Sequence, residues 1–60
     1  MNMIHSTAII KEGAKLGANC QIGPYCVIGE NVVMGDNNIL HNTVIVDGNT
    51  EIGNGNKIFS

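Results

Sequence analysis

A six-residue step in the aliphatic residues is the feature that most constrains this chain. Beginning at residue 4, every sixth position is Ile, Leu, Val or Met: Ile4, Ile10, Leu16, Ile22, Ile28, Met34, Leu40, Val46, Ile52 and Ile58. These four residue types fill 19 of the 60 positions, so ten matches in one phase have a chance probability on the order of 10^-5. A repeat of this kind determines the architecture before any local helix or strand assignment.

A second register of small or medium residues lies two positions before each aliphatic residue. Its members are Ala8, Ala14, Cys20, Cys26, Val32, Asn38, Val44, Thr50 and Asn56. Residues two apart in an extended chain share a face, so each repeat predicts a short strand with one small and one large inward residue. Three residues after each aliphatic position, six of nine residues are Gly or Asn, which tolerate a left-handed backbone. The sequence therefore predicts a bend there, with strain at Tyr25, which follows Pro24.

Three hexapeptide sides that close into a triangular coil satisfy this pattern, whereas hairpins would not preserve one inward phase. The predicted fold is all-β, a parallel β-helix in which successive coils stack roughly 4.8 Å apart. We expect residues 1–60 to form the N-terminal part of a single β-helix domain, with coils 4–21, 22–39 and 40–57 and a fourth coil that begins at residue 58. The last coil has no cap, so we expect a longer protein.

One inward column carries polar residues. Cys20, Asn38 and Asn56 follow one another at a separation of three hexapeptides, or one coil, and buried amides without partners are costly. We therefore expect Asn38 and Asn56 to bond to each other or to turn backbone, as stacked Asn ladders do. The C-x5-C spacing of Cys20 and Cys26 is not a zinc signature, and both are expected to be small buried hydrophobic residues.

Composition excludes several function classes. The net charge of -2 and the lack of a basic cluster argue against a nucleic-acid partner. No apolar run is long enough for a membrane span, and no signal peptide is visible, so we expect a cytoplasmic protein.

The candidate chemical residues do not form a catalytic or metal-binding group in the sequence. His5 and His41 fall in one outward column two coils apart, about 9–10 Å, which is too far for one metal ion within a subunit. The acidic candidates Glu30, Asp36, Asp47 and Glu51 have no His or Ser at triad-like spacing. We therefore expect no catalytic, cofactor-binding or metal-binding residue in this chain. The outward apolar column Ile9, Val27 and Ile45 predicts a contact between identical subunits.

Four segments carry a resemblance to a known family: I-H-S-T-A-I, I-G-P-Y-C-V-I-G, L-H-N-T-V-I-V-D-G-N-T and E-I-G-N-G-N-K-I-F. The pattern resembles the bacterial hexapeptide-repeat transferases, and the ordered segments are similar to the N-terminus of the UDP-N-acetylglucosamine O-acyltransferase family. Ser6 departs from the proline usual in that family. The resemblance implies a left-handed β-helix and a homotrimer. It also implies transfer of a 3-hydroxyacyl group from acyl carrier protein to the 3-hydroxyl of UDP-N-acetylglucosamine in lipid A synthesis, without a metal or bound cofactor. The family's catalytic histidine and substrate contacts lie C-terminal to this segment.

Alternative functions stay open at this point. The N-acyltransferase of the same pathway shares the repeat but carries an extra N-terminal domain, whereas the repeat here begins at residue 4. A non-catalytic structural solenoid, natural or designed, is also compatible. A γ-type carbonic anhydrase would need three zinc-ligating histidines, and the chain has two. An ice-binding solenoid would need columns of outward threonines, which are too few here.

Overall fold

The computed structural model describes residues 2–59 and contains nine short strands within that range. These are β1 (Met3–Ile4), β2 (Ile9–Ile10), β3 (Gln21–Ile22), β4 (Val27–Ile28), β5 (Val32–Met34), β6 (Ile39–Leu40), β7 (Ile45–Val46), β8 (Thr50–Ile52) and β9 (Lys57–Ile58). They form three parallel sheets with the orders β1-β3-β6-β9, β2-β4-β7 and β5-β8. The sheets are the three sides of a left-handed parallel β-helix, so the predicted fold class is confirmed.

Strand register follows the step of three hexapeptides on all three sides. Ile22 pairs with both Ile4 and Leu40, Ile28 pairs with Ile10 and Val46, and Met34 pairs with Ile52. In the first coil, the third side contributes only an isolated parallel bridge between Lys15 and Val33. Side chains 18 residues apart therefore lie directly above one another, and an inward residue stacks on the inward residue of the next coil.

The buried core lies in the middle of the stack. The buried apolar residues are Cys20, Ile22, Cys26, Ile28, Val32, Met34, Leu40 and Val44. Ile10, Leu16, Val46, Ile52 and Ile58 pack against this cluster while partly buried, and Ile4 in the first coil is 45% exposed. Burial therefore falls towards both ends, as expected when each coil is covered only by its neighbours.

The corners adopt the predicted left-handed backbone at six of the nine expected positions. Positive φ angles occur at Gly13, Asn19, Tyr25, Asn37, Thr43 and Gly55. At one further corner the positive φ belongs to Gly48, one residue earlier than predicted, so Asn49 does not take this role. Tyr25 and Thr43 have φ values of 59° and 57°, which are costly for residues with a Cβ and most unusual for a β-branched one. The expected strain at Tyr25 therefore has a structural basis and extends to Thr43.

Asn38 is completely buried, and its side-chain amide is fully bonded. Its Nδ2 donates to Gly53 O at 2.7 Å and to Gly35 O at 3.2 Å. Its Oδ1 accepts hydrogen bonds from Asn56 N at 2.9 Å and from Asn56 Nδ2 at 3.1 Å. The amide ladder is thus confirmed, with bonds both to the neighbouring Asn and to turn backbone. The ladder ties the coil that contains Asn38 to the coil above it.

The two cysteines are free and buried, as predicted, but their thiols also make hydrogen bonds. Cys20 Sγ donates to Gly35 O at 3.2 Å, and Cys26 Sγ donates to His41 O at 2.8 Å. Each acceptor lies 15 residues later in the chain, the same separation that joins Asn38 to Gly53. This inward position therefore supplies a side-chain donor to a main-chain carbonyl of the next coil.

Candidate functional site

His5 and His41 flank Gly23 in one column beside the β1-β3-β6 sheet. The register of Ile4, Ile22 and Leu40 places the three following residues above one another, and both histidines are exposed. The structure therefore brings the two histidines to the same side of the prism, one coil on either side of a glycine. They are separated by that intermediate coil and do not form a pair.

The hydrogen bonds around His5 fix its tautomer. Thr7 Oγ1 accepts a bond from Tyr25 N at 3.0 Å, so the Thr7 hydroxyl is free to donate to His5 Nδ1, which lies 2.8 Å away. Thr7 N also donates to the same Nδ1, at 3.2 Å. Two donors at Nδ1 require its lone pair, so the neutral ring carries its proton on Nε2. His5 therefore presents a donor to its surroundings, not the lone pair that a metal ion requires.

His41 is positioned by contacts on both its main chain and its ring. Its carbonyl accepts the Cys26 thiol, and its N–H donates to Ile58 O at 2.8 Å. The ring packs against Phe59 with centroids 4.4 Å apart and an interplanar angle of 47°. Aromatic contact in this tilted arrangement is favourable, so Phe59 helps to hold the orientation of the His41 ring.

A groove of about 710 Å³ lies along this side of the molecule. Apolar side chains of β1, β3 and β6 contribute to its lining, together with His5, Gly23, Pro24, His41 and Asn42. Gly23 allows the main chain of the next coil to approach closely, because a Cβ there would lie 2.5 Å from His41 O. The groove combines apolar surface with imidazole and amide donors, which suits an apolar group that carries a hydrogen-bond acceptor.

The acidic candidates do not converge on this groove. Asp36 Oδ1 accepts Ala18 N at 2.8 Å, and Asp47 Oδ1 accepts Gly48 N at 2.8 Å, so both carboxylates bond to corner backbone. Glu30 and Glu51 are exposed. Within residues 2–59, no group of three or more His, Cys, Asp or Glu side chains could hold a metal ion.

A second surface feature is the apolar column on the β2-β4-β7 sheet. Register pairs Ile9 with Val27 and Val27 with Ile45. Ile9 is 56% exposed and Ile45 is 69% exposed, while Val27 is half-buried. The predicted outward stripe is therefore present on one side of the prism. Exposed aliphatic residues in a continuous row are typical of a surface that another protein covers.

The comparison with protein families agrees with this architecture. Residues 1–30 match the family described as bacterial transferase hexapeptide (six repeats). This chain belongs to the bacterial hexapeptide transferase family.

Two relatives in this family have the same degree of similarity. They are the acyl-[acyl-carrier-protein]–UDP-N-acetylglucosamine O-acyltransferases of Rickettsia typhi (strain ATCC VR-144 / Wilmington) and Rickettsia prowazekii (strain Madrid E). Each is 55% identical over 56 residues, which cover 93% of this chain and 21% of the relative. The chain thus spans about a fifth of the length of these curated relatives. No solved structure matches it significantly.

In this hexapeptide transferase chain, the outward histidine column and the apolar stripe were predicted from the sequence, as was the lack of a catalytic pairing for the acids. The groove was not predicted. No pattern in the sequence marks it, because the groove depends on the positions of three successive coils. Across residues 2–59, the structure also contains no helix long and apolar enough to cross a membrane.

Proposed function

We propose that this chain is the N-terminal segment of an acyltransferase that moves a 3-hydroxyacyl group from acyl carrier protein to the 3-hydroxyl of UDP-N-acetylglucosamine in lipid A synthesis. The observation that carries the proposal is the 55% identity to two O-acyltransferases over 56 residues. That similarity extends across all three coils, beyond the residues 1–30 matched by the family.

In this proposal the segment has a structural role. Residues 1–60 form the first part of a single β-helix domain, and no residue among them is catalytic or binds a cofactor or metal. His5 fits this role, because its Nδ1 is engaged by both the main-chain N–H and the hydroxyl of Thr7 within its own corner. The carboxylates of Asp36 and Asp47 also fit a structural role, because each accepts a main-chain N–H at a corner.

The proposal includes a cytoplasmic homotrimer whose subunits contact one another through the apolar stripe of Ile9, Val27 and Ile45. Ile9 and Ile45 are each more than half exposed, so association would remove apolar area from water and supply burial that so short a chain lacks. A matched pair of variants tests this contact. Ile45→Lys should dissociate the trimer in sedimentation equilibrium, whereas Val33→Lys, at an exposed valine on another side, should leave it intact.

A chimera tests the enzymatic part. Residues 1–60 replace the matching segment of the Rickettsia typhi relative, and acyl transfer is measured with 3-hydroxyacyl carrier protein and UDP-N-acetylglucosamine. We expect the chimera to turn over and the isolated chain to show no turnover. In the chimera, His5→Ala and His41→Ala should leave kcat within about threefold of the parent chimera, since a catalytic base contributes roughly 10²–10⁴-fold.

Three results would contradict this proposal. Turnover by the isolated chain would place an active site within it. Loss of kcat in a folded His5→Ala or His41→Ala chimera would assign that histidine to catalysis. A folded, trimeric chimera without activity on this substrate pair would show that residues 1–60 cannot serve as the first part of an O-acyltransferase.

A further inference from the structure

The third coil contains two dipeptides of the types that can rearrange their backbone spontaneously. Asp47–Gly48 and Asn54–Gly55 each place an acyl side chain before a glycine, whose nitrogen is not shielded by a side chain. In an unfolded chain the asparagine pair is the more reactive, because its amide can release ammonia. We propose that folding reverses this order, so that Asp47–Gly48 isomerises to isoaspartate while Asn54–Gly55 is protected.

At Asp47–Gly48 the reacting groups are already adjacent. Gly48 N donates to Asp47 Oδ1 at 2.8 Å, which brings the nitrogen beside the carboxyl carbon that it would attack. Both residues are exposed, and a Cβ on Gly48 would meet nothing within 4 Å. The approach of the nitrogen is therefore unobstructed, and reacting atoms held close together are the main requirement for ring closure.

A hydrogen bond from Thr50 favours the same reaction. Thr50 Oγ1 donates to Asp47 O at 2.8 Å. This carbonyl belongs to the peptide group that contains the attacking Gly48 nitrogen. A donor on the oxygen draws electron density from the peptide and makes its N–H more acidic. Thr50 is thus a positioning residue for the rearrangement.

At Asn54–Gly55 both partners are held by the coil below. Asn54 Oδ1 accepts Asp36 N at 2.6 Å, and Gly55 N donates to Asp36 O at 2.9 Å. The nitrogen that would attack is therefore bonded away from its own preceding side chain. The same arrangement occurs one coil lower at Asp36–Asn37. There Ala18 N donates to Asp36 Oδ1, and Asn37 N donates to Ala18 O.

The proposed step balances without any reagent except water. Gly48 N attacks the protonated Asp47 carboxyl carbon, a C–N bond forms, and the amide hydrogen and hydroxyl leave as water. The resulting succinimide then takes up water at either carbonyl. Addition at the side-chain carbonyl restores aspartate, whereas addition at the main-chain carbonyl breaks the original peptide bond and routes the backbone through Cγ.

The experiment ages the purified chain at physiological temperature and pH, and a second sample in concentrated urea. Samples are digested with endoproteinase Asp-N, which cleaves before aspartate but not before isoaspartate, and the fragments are analysed by mass spectrometry. Cleavage at Asp47 should decline with time in the folded chain, while cleavage at Asp36 persists as an internal reference. Deamidation of Asn54 should be about thirtyfold slower when folded than in urea, because two hydrogen bonds of ordinary strength must open first.

Three variants sharpen the result. Asp47→Glu keeps the charge but would need a larger ring, so it should abolish the rearrangement. Thr50→Val removes the hydroxyl with little change in shape and should slow it severalfold. Asp47→Asn should accelerate it and release ammonia. The proposal is overturned if Asn54 in the folded chain reacts as fast as Asp47, or if Asp47 loses cleavage no faster than Asp36.

Discussion

Replacing Asn38 with alanine removes the one fully buried amide of the described core. The side chain makes four hydrogen bonds, to Gly35 O, Gly53 O, Asn56 N and Asn56 Nδ2. Gly35 O keeps the Cys20 thiol as a donor, and Asn56 Nδ2 belongs to an exposed residue and can donate to water. Gly53 O and Asn56 N lose the partner that Asn38 provides. The cost therefore falls on two main-chain groups and on the volume that the amide filled.

The magnitude follows from these losses. Gly53 and Asn56 are exposed, so water can replace part of each bond, and we assign ~1 kcal/mol to each group. The emptied volume adds ~1 kcal/mol, which gives a total of about 3 kcal/mol. For a domain of this size, that corresponds to a decrease in Tm of roughly 12–24 °C. It is also a large part of the ~3–9 kcal/mol of stability expected for a chain this short.

The assay is urea and thermal unfolding followed by circular dichroism. Asn31→Ala, at an exposed corner, is the matched control and should stay within about 0.5 kcal/mol of the parent. Asn38→Asp keeps the shape but turns two donated bonds into contacts between oxygens, so it should destabilise at least as much as alanine. If Asn38→Ala unfolds within about 0.5 kcal/mol of the parent, the ladder contributes nothing and the reasoning fails.

Three further predictions concern other positions. Gly23→Ala should destabilise the fold by ~2 kcal/mol or more, because its Cβ would meet His41 O at 2.5 Å. Gly53→Ala is the control and should be nearly neutral in the same unfolding assay, because a Cβ there would meet nothing within 4 Å. Thr43→Asn should stabilise by ~0.5–1 kcal/mol, since Asn tolerates the φ of 57° better than a β-branched residue; an unchanged or lower Tm would argue against strain at this corner. Cys26 is fully buried, so a thiol reagent should label it only in denaturant, and rapid labelling of the native chain would show that the core opens.

The hexapeptide phase was sufficient to predict the inward columns because parallel stacking repeats one environment with every coil. Ile22, Ile28 and Met34 lie inside as expected, since a shift of one residue would turn every aliphatic residue outward. The left-handed corners followed from Gly and Asn at one position of the repeat. Gly48 was missed because the repeat phase assigned the corner to Asn49, while glycine accommodates positive φ more easily.

Features that depend on side-chain placement were not accessible from the sequence. The thiol donors of Cys20 and Cys26 were missed, because cysteine was treated as a small apolar residue and the positions of carbonyls in the next coil were unknown. The His5 tautomer depends on Tyr25 N, which contacts Thr7 from the next coil. The groove beside Gly23 needed the positions of three successive coils.

The core, the amide ladder and both surface features all depend on the coil of three hexapeptides. NMR spectroscopy of the isotope-labelled chain tests for this coil directly. Short proton–proton distances between backbone groups should connect Ile22 with Leu40, Ile28 with Val46 and Met34 with Ile52 in a parallel pattern. These contacts define the three sides at one common separation. Antiparallel contacts, or pairings at a separation other than three hexapeptides, would contradict the stacked coil.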